Sequence, residues 1–164
     1  MAGGMDLAAI CEVLKGTQQN EVTARKTAEK HLEEAASNSP NQLVCGLVQV
    51  LAAQSVASEL RQEAGVILRQ LVKGMKNRDS VWEDLEAPTK KVLMDQLLAT
   101  IEHETTRPVK RNAGQVVSAV ATEVARDVAE LMSQWPELLP ALSRLVGGTN
   151  RVVALDVLKD LVPA

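Results

Sequence analysis

Two histidines and two cysteines are the side chains best suited to acid–base, nucleophilic or metal chemistry here, and their spacing joins none of them. His31 falls in a helical slot that Ile67, Val116 and Val157 fill elsewhere in the chain. It is expected to be a partly buried structural histidine rather than a ligand or a general base. His103 sits between Glu102 and Glu104 near an expected helix end, where helix-end electrostatics accounts for it better than a metal does. Neither a His-Glu-x-x-His pattern nor a Cys/His cluster is present. Cys11 and Cys45 fit no metal spacing and read as small apolar side chains in a reducing compartment. Gly147-Gly148 is not followed by Lys-Ser/Thr, so no phosphate-cradling loop is expected. Catalytic residues, cofactor ligands and metal ligands are therefore all expected to be absent, and the chain reads as non-enzymatic.

The chemistry left is recognition by a surface. It is organised by one stretch, residues 59–75, reading ELRQEAGVILRQLVKGM. Leu60, Ala64, Ile67, Leu68, Leu71 and Met75 follow the spacing of a single helix stripe. Burying each large member is worth roughly 1.5–3 kcal/mol, so the stripe demands cover. A basic-x-x-Ala marker inside this stretch recurs as Arg25–Ala28, Arg61–Ala64, Lys110–Ala113 and Arg151–Ala154. The intervals between successive marker alanines are 36, 49 and 41 residues. A helical unit returning at such intervals points to two-helix repeats of HEAT or armadillo type. The expected fold is all-α: a right-handed α-solenoid of about four HEAT-type helix pairs, at approximately 5–38, 39–75, 86–125 and 135–162.

A helical wheel centred on each marker alanine leaves a solvent-facing set on each second helix. The first set is Lys26, Glu29, Lys30 and Glu33; the second is Gln62, Val66, Arg69 and Lys73; the third is Arg111, Gln115 and Ser118. If second helices line the inside of a superhelix, these residues form one ladder. Gly65 and Gly114 each follow a marker alanine, where glycine costs roughly 1 kcal/mol relative to alanine. Close approach of neighbouring second helices is the expected reason.

Composition agrees with the helical reading. The chain has 164 residues, two Trp and no Phe or Tyr, while strong helix formers abound. Its net charge is −3 with both signs interspersed, and no basic stripe suggests a nucleic-acid partner. The N-terminal stretch lacks the basic and apolar regions of a secretory signal, and no run reaches membrane-spanning length.

Along the chain, residues 1–4 are expected to be loose. Helices are then expected at about 5–15, at 21–37 with Asn20 as cap, and at 40–53 with Ser39 as cap and Pro40 at its first position. Residues 74–86 read as a polar loop with Trp82 and Leu85 folded back onto the stack. Pro88 and Pro108 open the next two helices, and the valine-rich 109–124 run is helical by its spacing. Gln134-Trp135-Pro136-Glu137 opens a helix to about 146, and Asn150 is expected to cap the last one. That last helix is apolar and lacks the polar cap a solenoid end requires, which suggests the N-terminal piece of a longer solenoid.

Several phrases carry a family resemblance. They are Arg25-x-x-Ala28-Glu29-x-x-Leu32, Leu60-Arg61-Gln62-x-Ala64 continuing to Leu68-Arg69-x-Leu71-Val72-Lys73, Trp82-x-x-Leu85, Ile101-Glu102-His103-Glu104-Thr105, and Gln134-Trp135-Pro136-Glu137-Leu138-Leu139-Pro140. In this order they resemble the N-terminal region of nuclear transport receptors of the importin-β (karyopherin-β) family. The resemblance implies a HEAT solenoid whose inner helices bind the small GTPase Ran in its GTP form, so controlling cargo import through nuclear pores. It also implies import cargo and phenylalanine-glycine nucleoporins as partners, the latter mainly beyond this segment. It implies residence in cytoplasm, nucleus and the nuclear pore, while charge pattern and run length, read above, point to neither a nucleic-acid nor a membrane partner. On that reading the Ran-facing residues are Lys26, Glu29, Lys30, Glu33, Gln62, Val66, Arg69, Arg111 and Gln115. The alternative is a HEAT or armadillo scaffold unconnected with Ran.

Overall fold

The computed structural model describes residues 7–148 and 151–161. The expected loose start, the Asn150 cap and the last three residues lie outside that range. The described residues form nine α-helices and no strand: α1 (Leu7–Thr17), α2 (Val22–Asn38), α3 (Pro40–Ala52), α4 (Ser58–Lys73), α5 (Ala87–His103), α6 (Arg107–Val124), α7 (Val128–Gln134), α8 (Leu138–Val146) and α9 (Arg151–Leu161). The valine-rich run is helix α6, as its spacing requires: β-branched propensity yields to a stripe that buries Val109, Val116, Val117 and Val120.

Four pairs stack as two layers. The first helices α1, α3, α5 and α8 pack on one another in order, and each packs on or near its partner α2, α4, α6 or α9. In the second layer α4 packs extensively on α6, and α6 on α9. The marker alanines Ala28, Ala64, Ala113 and Ala154 are all buried at these contacts. Helix α2 differs: it packs on α1 and α3 and makes no comparable contact with α4, against which the end of α1 lies instead. His31 is accordingly exposed, not partly buried, because no helix among the described residues packs on that side of α2.

Close approach explains the two internal glycines. A Cβ added at Gly65 would lie 3.0 Å from the Asn112 Cβ across the α4–α6 contact. One added at Gly114 would lie 2.9 Å from the Val153 Cγ1 across the α6–α9 contact. The space beside each is filled by the protein's own next second helix.

Helix ends follow the expected proline signals but not every expected cap. Pro40, Pro88 and Pro108 sit in the first turns of α3, α5 and α6, where the missing N–H costs nothing. The Ser39 side chain caps nothing: this single residue both ends α2, through its N–H to the Ala35 carbonyl, and begins α3. Asn20 does not cap α2 either, since that helix starts after Glu21 and has no side-chain cap. Between α4 and α5, Gly74 adopts φ 83°, a left-handed geometry that suits glycine. The chain then returns: the Val81 N–H donates to the Leu71 carbonyl at 2.9 Å, and Val81, Trp82 and Leu85 are buried. Helix α7 is an addition to the expected set. The Asp127 carboxylate accepts from the Glu130 N–H at 2.9 Å, and the Glu130 carboxylate accepts from the Arg126 N–H at 2.8 Å. The two form a reciprocal cap.

Candidate partner-binding face

A buried charge cluster aligns the second helices. Arg61 on α4 donates from Nε to the Leu51 carbonyl at 3.0 Å and pairs through its guanidinium with Glu104, just past α5. Both side chains are almost wholly buried. The second Glu104 oxygen accepts from the Thr105 and Thr106 N–H groups at 3.1 and 2.9 Å. Burial alone would push this carboxyl up, but the Arg61 hydrogen bond and the Thr106 N–H outweigh it and hold it below the usual carboxylate range. Lys110, at the marker position of α6, is also buried; desolvation lowers its pKa and the nearby Glu104 opposes that. The repeat marker is therefore part of a charge link between the second and third pairs.

On the solvent side of that link, α4, α6 and α9 present a grooved polar face. One hollow of about 280 Å³ is bounded by Arg69 and Lys73 of α4, by Ser118, Thr122 and Glu123 of α6, and by Asp160 of α9. A neighbouring one of about 230 Å³ runs beside Val66, Arg69 and Gln115. A third, of about 180 Å³, lies between Arg111 and Gln115 of α6 and Asp156 of α9. Arg69 and Gln115 are shared between adjacent hollows, so the groove is continuous across the three helices. Val66 is exposed on it, an apolar spot on a polar face. The Glu123 carboxyl is pushed up by partial burial and by the neighbouring Glu83.

Of the residues singled out from sequence, the structure brings together Val66, Arg69, Arg111 and Gln115. Gln62 is half-buried beside them, its carbonyl reached by the Asn112 side chain at 3.5 Å. The four on α2 are exposed but line none of these hollows. Lys30 pairs with Glu34 at 3.8 Å, and Glu33 pairs with Arg78 of the α4–α5 loop at 3.9 Å. Thr122, Glu123, Asp156 and Asp160 were not anticipated. Thr122 follows Ser118 by four residues, so a wheel carried one more turn along α6, and on to α9, would have reached this end of the groove.

No protein-family model matches the chain. Importin subunit beta-1 of Schizosaccharomyces pombe is 30% identical to it over 144 residues, 83% of this chain and 16% of the relative. A crystal structure of importin beta in an ammonium sulfate condition superposes with a TM-score of 0.78 at 25% identity, over 93% of this chain and 18% of that one. This chain is a HEAT-repeat solenoid of the importin-β family. A further structure, in which Kap95p induces the switch loops of RanGDP to adopt the GTP-bound conformation, superposes at TM-score 0.80 and 20% identity, over 96% of this chain and 19% of Kap95p. The chain thus spans less than a fifth of each of these importin-β relatives.

Within this importin-β-family fold the opposite, first-helix face carries a separate hollow of about 390 Å³, bounded by Trp82, Met94, Trp135 and Pro136. The Lys90 ammonium lies 5.0 Å from the Trp82 ring centroid. The buried Trp135 Nε1–H finds no acceptor among the described residues. Also among the described residues, no group of His, Cys, Asp and Glu could hold a metal ion, and no helix is long and apolar enough to cross a membrane.

Proposed function

We propose that this solenoid works in nuclear transport, with its second-helix face binding the small GTPase Ran in its GTP form. The observation that carries the reading is the continuous groove over α4, α6 and α9. Its cations Arg69 and Lys73 make no ion pair among the described residues, and it lies on a fold shared with importin beta and Kap95p. Bound Ran-GTP would displace import cargo from the concave surface. Phenylalanine-glycine nucleoporins would carry the receptor through pores between cytoplasm and nucleus.

Gln62, Val66, Arg69, Arg111 and Gln115 form the main contact set in this proposal. Lys26, Glu29, Lys30 and Glu33 form a peripheral arm on α2. Titration of the chain with Ran loaded with GTP or GDP is the test, and tighter binding of the GTP form is expected. Arg69→Glu should weaken that binding more than Lys30→Glu. Equal affinity for both nucleotide states, or no binding to either, removes the Ran reading in favour of a scaffold unconnected with the GTPase.

A further inference from the structure

We infer that the α4–α6–α9 groove takes a partner segment of two opposite charges: a carboxylate seated against Arg69 and Lys73, and a basic side chain seated against Glu123 and Asp160. The inference rests on the Ran reading and concerns which chemistry of the partner the groove selects. Its basis is the division of charge within one hollow. In that hollow cations line the α4 side and carboxylates the α6 and α9 sides, whereas the adjoining hollow mixes Arg111 and Lys159 with Asp156; no ion pair joins the two sides among the described residues.

The hydroxyls of the floor have little left to offer a charged ligand, and the Gln115 amide beside them accepts and donates without preference for either sign. The Ser118 hydroxyl donates to the Gly114 carbonyl at 3.2 Å, and the Thr122 hydroxyl donates to the Ser118 carbonyl at 2.9 Å. Both hydroxyl protons are thus used within α6, and Ala119 beside them is apolar. Charge at the edges is what remains. Glu123 is a half-buried carboxyl with Glu83 as a charged neighbour, and both raise the cost of its ionised form. An incoming cation relieves that cost; an incoming anion increases it. A polyanion such as nucleic acid would gain at Arg69 and Lys73 and lose at Glu123 and Asp160. A basic tail would do the reverse.

The test measures Ran-GTP affinity of the full chain at low and at physiological salt, with Arg69→Glu/Lys73→Glu at one side and Asp160→Lys at the other. Lys91→Glu, on exposed α5 surface, serves as control. The altered residues are exposed, and thermal melting of each variant checks that the fold is kept. Each side's reversal is expected to weaken binding about tenfold or more and to flatten its salt dependence, with the control unchanged. If wild type binds Ran-GTP and only one side, or neither, responds, the two-charge inference is overturned while the Ran reading stands. If wild type fails to bind Ran-GTP at all, the Ran reading falls first and this inference falls with it.

Discussion

Helix α2 and helices α4 and α6 carry the same sequence marker and meet different fates. In α4 and α6 the marker cations Arg61 and Lys110 are buried beside Glu104, and the slots three residues after the marker alanines, Ile67 and Val116, are buried. In α2 the marker cation Arg25 is exposed, and so is His31 in the equivalent slot. Only Ala28 and Ala36 of its seventeen residues are buried, so most of its stripe is at best half-covered. The cause lies outside α2. Helix α4 has packed neighbours on both sides in the stack, α1 and α6, and α6 lies between α4 and α9, whereas α2 packs chiefly on α1 and α3 among the described residues. A repeat pattern thus specifies a helix and its facing, but burial depends on which helices are stacked alongside.

The largest effect expected of that contrast is at the marker charges. Glu104→Ala would leave Arg61 charged and buried without its partner, a change that costs about 3–5 kcal/mol. Arg25→Ala, at the same marker position on α2, should stay within about 0.5 kcal/mol. Urea unfolding of both variants makes the comparison, and similar losses would show that the two markers are equivalent after all. The same link predicts a pH response. Because the folded Glu104 carboxyl is held low, its contribution is present above the unfolded carboxylate pKa of about 4.3 and is lost as pH falls below that value through the folded one. Melting temperature should therefore fall less between pH 5 and pH 3 in Glu104→Gln than in wild type, from a lower starting point.

Next in size is the contrast between stripe leucines. Leu68 on α4 is fully buried, and Leu68→Ala should cost about 2–5 kcal/mol. Leu32, four residues past the marker alanine on α2 as Leu68 is on α4, is only half-covered. Leu32→Ala should cost less than half as much as Leu68→Ala, read from the shift in denaturation midpoint at constant m-value. Equal costs would mean that α2 is covered in solution.

These contrasts also mark what was legible in the sequence. The stripe of residues 59–75, the proline starts of α3, α5 and α6, and the helical reading of a valine-rich run follow from local spacing, and local spacing survives folding intact. Gly65 and Gly114 were legible because a glycine inside a helix must be repaid by something close, and Asn112 and Val153 are that close. The Arg61–Glu104 link was not legible, because its members lie 43 residues apart and no period relates them. Helix α7 was missed because seven residues are too few to show a stripe, although Asp127-x-x-Glu130 was a usable cap signal. The carboxylate side of the groove escaped because Glu123 lies a turn beyond Ser118 on α6, and Asp160 lies on α9, outside the three solvent-facing sets. The exposure of His31 escaped for the reason α2 is different at all: it depends on a missing neighbour.

The smallest expected effect gives the sharpest check on that missing neighbour. In a stack of equivalent pairs the His31 slot would be a core position, and His31→Val would restore the apolar side chain that Val116 and Val157 supply in their own helices. Burying a valine there would then stabilise the fold by roughly 1.5–3 kcal/mol relative to leaving it wet. With α2 open on that side, the new methyl groups meet water and gain nothing. The loss of helix propensity on going from histidine to valine is also small, since the two rank together. His31→Val should therefore change stability by no more than about 0.5 kcal/mol in either direction. A gain above about 1 kcal/mol in chemical denaturation would place a helix over this face and make the first pair equivalent to the others. A null result, set beside a large loss at Leu68, keeps the two halves of the molecule distinct.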